Sequence, residues 1–580
     1  MSSARVRPFE EGRTSEARPA AAALAAFCAD LTLKRMTSAA RERTAELLLD
    51  HLGVAYRGSA AESSRAVIRF VMAQPPGSAT VLGARPDPTV TDVKGGVSHS
   101  GTEELRTNLV RNSTDLVQTP SSPADRGNAL APFRVPAAWA ALANGTSAHA
   151  IEMDDVTTES SLHPGAAVIP AVLAVAEEIA AREPGDMATD RPDHARPQGN
   201  AVQGGRDSTL GARVIAAVSA GYEVTMRVGN ALGAASSYQR GFHPTGVAGV
   251  FGAAVAAGKL MRLDAAGLER AIGIAGTMAS GSLAYLDDGS WTKRLNPGWA
   301  AHGGVVAAGL ASVGFTGPAT VLDGPHGVLR GYTDAPDPER LTERLGESEL
   351  QIVHVSIKPY GCCRYSHGLI DGMLALRAEH FGGAKTGNGA HASLDDIEQI
   401  RLGVLSGGWP LIAEGIERKR DPRNTVDAQF SAPYAAAVAL VHGRAGLREF
   451  EIASRDAATG ELRPGDARTR ALMERTVCHR DPSLDAAYPK SWPAAIEIRL
   501  RDGRLLRTRV EHALGEPENP VKREALIERF VEMVVAVPES SGFAQFPQLR
   551  GIPEPQAREV AERILHLERG SDLSVLAALA

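Results

Sequence analysis

Residues 144–170 read NGTSAHAIEMDDVTTESSLHPGAAVIP, in which two histidines, His149 and His163, bracket three carboxylates, Glu152, Asp154 and Asp155. Ala-rich segments on either side read as buried helices, so these ionisable groups stand at a break between apolar elements. Burying so many is costly unless they are paired, hydrogen-bonded or used in chemistry, and the break reads as one wall of an active site. Three more polar stretches lie at element boundaries. Residues 241–246 (GFHPTG) carry His243, residues 290–298 (SWTKRLNPG) carry Lys293, and residues 356–367 (SIKPYGCCRYSH) carry Lys358, Cys363 and Arg364. The free N–H groups and dipole of a helix N-terminus favour anions. Lysines, an arginine and several histidines in such places suit a substrate with two or three carboxylates, held by cations while a histidine moves a proton.

Each motif also has a plainer reading. A His-Pro pair often caps a helix. Lys293 beside Arg294 suits a solvated turn, and Glu152, Asp154 and Asp155 could cap the helix that follows them. Cys363 could be a small buried apolar residue. Metal binding is a rival use for His149, Asp154, Asp155 and His163, but neither HExxH nor a compact His/Cys cluster is present, so no metal is expected.

The elements that must position these groups are mostly helical. At 580 residues the chain exceeds one simple core, and length suggests about two to four domains. Ala and Gly are abundant while aromatics make up only 5%, which suits closely packed helices. A net charge of -6 with scattered Lys and Arg argues against nucleic acid as a partner. Four cysteines form no disulfide framework, which points to a reducing, cytoplasmic setting. The N-terminus lacks a signal-peptide core, and the absence of a long uninterrupted apolar run predicts no membrane span.

Residues 1–20 read as a disordered leader. Residues 21–350 read as a helical domain: Ala45, Leu48, Leu49 and Leu52 share one helical face, Gly53 is a plausible stop, and apolar helical runs follow at 136–149, 166–181, 212–232, 247–261, 265–278 and 300–313. Two insertions without a regular period interrupt it, at about 84–132 and 182–211. Residues 353–515 read as a smaller α+β domain, with strand-like alternation at 351–357, 397–404, 494–500 and 505–510 and a hairpin turn at Asp502-Gly503. Helical patterns return within 523–580.

Taken in order, the motifs LLLDHLG (47–53), NGTSAHAIEMDD, HPGAAVIPAVLAVAEE, GYEV (221–224), GFHPTG, TKRLNPGWAAHGG (292–304), KPYGCCRYSH (358–367) and QFSAPYAAAVAL (429–440) resemble the MmgE/PrpD family. That family includes 2-methylcitrate dehydratase, cis-aconitate decarboxylase and iminodisuccinate epimerase. The resemblance implies a mainly α fold, with a large all-helical domain built from both chain ends and a smaller α+β lid domain inserted between them. It also implies a cofactor-independent homodimer acting on a small polycarboxylate. Carried over by motif, Asp154, Asp155, His163, His243, Lys293, Lys358 and Cys363 are the expected catalytic residues. Glu152, Thr157, Arg364 and Tyr434 are expected at the substrate. The chain departs from the family's decarboxylase pattern at Glu152, in the spacing from Asp155 to His163, and at Cys363. Those departures turn the expectation toward a hydro-lyase acting on a hydroxy-tricarboxylate such as 2-methylcitrate, with an epimerase, a decarboxylase or a non-catalytic carboxylate binder as alternatives.

Overall fold

The computed structural model describes residues 19–84, 132–182, 209–381, 392–455, 462–535, 551–570 and 572–580. The expected leader and the two expected insertions fall almost wholly outside the described residues. Among the described residues nine longer helices precede residue 320: α1 Ala20–Asp30, α2 Ser38–Gly58, α3 Glu62–Met72, α4 Ala137–Ala148, α5 Pro164–Ala181, α6 Leu210–Leu232, α7 Pro244–Leu260, α8 Ala265–Ala275 and α9 Thr292–Ser312. Later come α10 His367–Leu376, α11 Ala432–His442, α12 Arg523–Val534 and α13 Glu554–Leu565. The protein is mainly α.

Two apolar cores account for most of the burial. The first draws on residues from Ala20 to Ile357 and again from Val521 to Leu579, and the second on residues from Tyr360 to Leu506. Small residues let the first pack tightly. A Cβ on Gly298 of α9 would lie 2.5 Å from the Leu142 carbonyl oxygen of α4, and one on Gly145 of α4 would lie 2.7 Å from the Ala166 carbonyl oxygen of α5. The three helices therefore cross backbone against backbone, which only glycine permits. Helix α5 is long and apolar enough by length and composition to cross a membrane, although Glu177 and Glu178 interrupt its apolar run as expected, and 78% of it is buried inside the fold.

The second core is built on a four-stranded sheet of β1 Ile397–Val404, β2 Thr476–Arg480, β3 Ala494–Leu500 and β4 Leu505–Val510, in the order β2-β1-β3-β4. Strands β1 and β2 run parallel and the other pairs antiparallel. The β3–β4 hairpin turns at Asp502-Gly503, where Gly503 takes a φ of 90°. Alternating Ile400, Leu402, Ile496 and Ile498 are buried, and α10 packs on β3 and β4.

Three local expectations are corrected, and one strand was not foreseen. Gly53 does not stop α2, which continues to Gly58; a Cβ there would meet the Phe530 ring at 3.1 Å, so the glycine admits α12. Residues 351–357 are not a strand. Gln351–His354 forms a 3₁₀ turn whose first N–H donates to Glu223, and a single bridge links Ser356 to Val156. Helix α9 begins at Thr292 rather than at 300, with Pro297 inside it, so Lys293 lies in its first turn. Strand β2 (TVCHR) carries too little alternation to be seen in the sequence.

Candidate active site

The chain leaves α4 at His149 and does not become helical again until Pro164. Within that loop Glu152 and Ser161 both take positive φ values, 58° and 49°. Side chains rarely adopt this conformation, which persists only where the surroundings enforce it. Here the enforcement is visible. Gln429 Nε2 donates to the Ile151 carbonyl at 3.2 Å, and Arg529 donates to the Met153 carbonyl at 3.0 Å. Val156 and Ser356 exchange both backbone hydrogen bonds, at 3.0 and 2.8 Å, which lays the carboxylate loop beside Lys358.

The carboxylates then take separate tasks. Asp154 Oδ2 accepts from His149 Nδ1 at 2.6 Å and lies 3.3 Å from His163 Nδ1, while its Oδ1 is 3.6 Å from Lys358 Nζ. Burial alone would raise this carboxyl, but the two histidines and Lys358 hold it well below its ordinary range. Glu152 pairs directly with Lys293, and its second oxygen lies 3.9 Å from Lys358 Nζ. Opposing its burial, Lys293, Lys358 and His149 draw the carboxyl down to about 2.

Asp155 faces the other way. It accepts from the Gly165 N–H at 3.0 Å and the Tyr222 hydroxyl at 2.7 Å, so it caps α5, and burial raises it to about 7. Asp155, expected as a catalytic group, has its carboxylate engaged by the start of α5 and by Tyr222.

Three helices begin here. His163 precedes Pro164 of α5, His243 precedes Pro244 of α7, and Lys293 stands in the first turn of α9. Proline at the first helical position costs no hydrogen bond and fixes the start. His163 Nδ1 contacts the Asp155 main-chain carbonyl at 2.6 Å; a carbonyl can only accept, so Nδ1 carries the proton and Nε2 keeps its lone pair. Burial pushes the His163 imidazole down to about 3, so it is neutral at ordinary pH, and its side chain is still 14% exposed. His243 has the opposite tautomer: Asn296 Nδ2 donates to its Nδ1 at 3.2 Å, leaving the proton on Nε2. Burial also holds His243 neutral, well below its usual value.

His149, expected only to serve the α4 helix, lies between these two, with ring centroids 4.9 Å from His163 and 5.6 Å from His243. Its Nε2 is buried without a hydrogen-bond partner among the described residues, an acceptor that a ligand or water would satisfy. Ligand atoms of His149, Asp154 and His163 lie within 4.8 Å of one another, close enough to hold a metal ion. The Lys358 ammonium already compensates Asp154, and both Nδ1 protons are directed at oxygens, so this geometry fits a hydrogen-bonded proton-transfer group.

The remaining expected residues divide. Lys358 is 1% exposed and lies among the carboxylates, and Lys293 also stands 5.0 Å from the Phe430 ring centre. Cys363 is buried close enough to Glu152 and both lysines to feel their charge, but burial pushes its thiol up, so it is not poised as a nucleophile. The Thr157 hydroxyl is spent on Ser160 within its own turn. Arg364 does not join the lysines; it pairs with Glu516, whose other oxygen lies 3.1 Å from His512. Tyr434 lies in the second core, donating to the Glu449 carbonyl at 2.9 Å and packing on Phe450. Neither is part of the cluster. Sequence reading passed over Asn296, Gln429 and Arg529; the first two stand inside motifs already singled out, whereas nothing in the sequence marks Arg529.

The chain is similar to proteins of named activity. A cis-aconitate decarboxylase-like protein of Aspergillus oryzae, oryM, is 26% identical over 452 residues, covering 76% of this chain and 81% of its own. The cis-aconitate decarboxylase of Aspergillus terreus is 26% identical over 76% of this chain and 80% of its own, and that of Homo sapiens 25% identical over 69% and 73%. The model of the MmgE/PrpD N-terminal domain matches residues 100–341, which carry the histidines, the carboxylates and Lys293, and that of the MmgE/PrpD C-terminal domain matches residues 360–542. The two models together span most of the chain, and it belongs to the MmgE/PrpD family.

Proposed function

We propose that the protein is a cofactor-independent lyase acting on a small polycarboxylate. The observation that carries this reading is the locked His163: a neutral imidazole with Nδ1 committed to the Asp155 carbonyl and Nε2 left to act as base, next to two lysines. Three helix N-termini and two ammonium groups favour an anion at this place. His163 Nε2 takes a proton from the carbon next to a carboxylate. Lys358 and Lys293 then stabilise the enediolate in which that electron pair is held. In dehydration the pair expels hydroxide from the neighbouring carbon, the proton now on His163 Nε2 passes to that oxygen to make water, and His243 Nε2–H holds the departing oxygen by a hydrogen bond. The opposed tautomers of His163 and His243 favour this first reading. A second reading, decarboxylation, is favoured by the names of the relatives: CO2 leaves, the lysines hold the carbanion's charge, and a lysine ammonium delivers the proton to carbon.

The test follows citrate, 2-methylcitrate and cis-aconitate by NMR in D2O. Water loss yields an alkene from the hydroxy acids, CO2 loss shortens cis-aconitate by one carbon, and deuterium entering recovered substrate without conversion marks epimerisation. His163→Ala should lower kcat by at least about a hundredfold with an unchanged melting temperature. Near-normal turnover in that variant would remove His163 from the mechanism.

A further inference from the structure

Helix α9 carries Lys293 in its first turn, and beyond that turn no Asp, Glu, Lys or Arg occurs from Leu295 to Phe315. Small residues such as Gly298 and Gly304 bury its inner face against the neighbouring helices. Its outer face is not buried. Leu295, His302, Val306 and Leu310 are partly exposed, Trp299 is 44% exposed and Val313 79%, at the three- and four-residue steps that line up on one side of a helix. Burial holds His302 below its ordinary value, so the stripe is uncharged. A surface helix ordinarily turns charged residues outward, as α12 and α13 do where Glu528 meets Arg558.

An aromatic ladder widens the stripe. Trp299 stacks on His302 at 5.2 Å, His302 meets Trp139 of α4 at 4.7 Å, and Trp139 meets Phe70 of α3 at 5.8 Å, where Phe70 is 55% exposed. Aromatics make up only 5% of this chain, so several together at its surface mark a contact face.

We infer that the outer face of α9, with Trp139 and Phe70 beside it, is where a second copy of this chain docks about a twofold axis. A twofold contact sets one patch against itself, and an uncharged patch meets no like charge there. A different protein, a nucleic acid or an anionic membrane is ordinarily met by complementary charge, which this stripe lacks. Size agrees. From Leu295 to Val313 the helix runs about 27 Å, and with its neighbours the face is about 20 Å across. Two copies would then bury on the order of 1,100 Å², above the roughly 1,000 Å² expected of a specific interface. The homodimer expected from sequence thereby gains a particular face, and the helix that bears Lys293 is the one it seats.

Sedimentation velocity on the full chain at micromolar concentration should give twice the chain mass. Trp299→Glu and Val306→Glu, made singly, each bury a carboxylate in the contact and should weaken the dimer by at least about a hundredfold. Leu505→Glu, on strand β4 of the second core and 46% exposed in the native chain, should leave it unchanged. Melting temperatures check that the variants fold. If they do not, hydroxyl-radical footprinting of the native chain decides, because Trp299 and Phe70 should be oxidised faster once dilution separates the copies. Three results overturn the inference: a native monomer, a dimer that survives both glutamates, or one that Leu505→Glu disrupts equally. Footprints that do not change on dilution overturn it too, and a monomer with Trp299 shielded would give this face to a segment of the same chain.

Discussion

Asp154 and Asp155 are neighbours in the chain with opposite surroundings. The first receives His149, His163 and Lys358, and the second receives the start of α5 and the Tyr222 hydroxyl. Asp154→Asn should therefore lower kcat by at least about a hundredfold, because an amide cannot hold both imidazoles and the ammonium as an anion does. Asp155→Asn should stay within about tenfold of native turnover, since its amide oxygen still accepts from Gly165 and Tyr222. Steady-state kinetics on both variants checks this, and equal losses would sink the division of labour. The presence of an acid–histidine cluster was legible in the sequence, because EMDD and HPG stand between apolar runs. Which aspartate does what was not legible, since that depends on Tyr222, far along the chain on α6. The same limit hid His149: it ends a helix in sequence, and only the fold puts its ring between His163 and His243.

At the scale of elements, α12 joins parts that lie far apart in sequence. Arg529 donates to the Met153 carbonyl at 3.0 Å and the Lys358 carbonyl at 2.8 Å, and pairs with Asp50 on α2. The carboxylate loop, the cation loop and α2 thus share one guanidinium. Removing it strands the buried Asp50 charge, so Arg529→Met should cost about 3–5 kcal/mol in urea unfolding. Adding Asp50→Asn should recover part of that loss, because the stranded charge is gone; strictly additive losses would show that the two are not coupled. The helix itself was legible from the spacing of Leu526, Phe530 and Val534, but an arginine in a charged helix gives no sign of facing inward. Pro164 and Pro244 advertised their helix starts. The start of α9 was concealed because Pro297 and Gly298 read as a loop, although they lie within the helix and Gly298 lets it touch α4.

Across the whole molecule, the mainly helical character followed from Ala- and Gly-rich periodic runs, and the misread strand at 351–357 shows where such patterning fails. There Val353, Val355 and Ile357 alternate in the sequence, yet among the described residues only one bridge forms and the segment packs into the first core. The same dense packing buries several histidines as neutral groups, which ties stability to pH. Burial lowers His51 and His163 to about 3, and lowers His243 and His367 well below their usual value. Below about pH 6.5 the unfolded chain takes up protons at these four positions that the folded chain refuses. The unfolded state then binds more protons, and stability falls as pH falls. Asp155 opposes this, because burial raises its carboxyl to about 7 and the folded state keeps its proton between about pH 4 and 7, and Glu177, Asp371, Glu451 and Glu516, whose carboxyls burial also raises, oppose it nearer the ordinary carboxyl range. Glu152, drawn down to about 2 by Lys293, Lys358 and His149 against its burial, adds to the acid loss only below about pH 4.5. Urea unfolding at pH 7, 6 and 5 should show stability dropping with acid, on the order of 1.4 kcal/mol per pH unit for each net proton taken up. The fall should be smaller in His51→Gln, which removes one of the refused protons, and an unchanged slope in that variant would mean that His51 is charged or solvated in the folded protein.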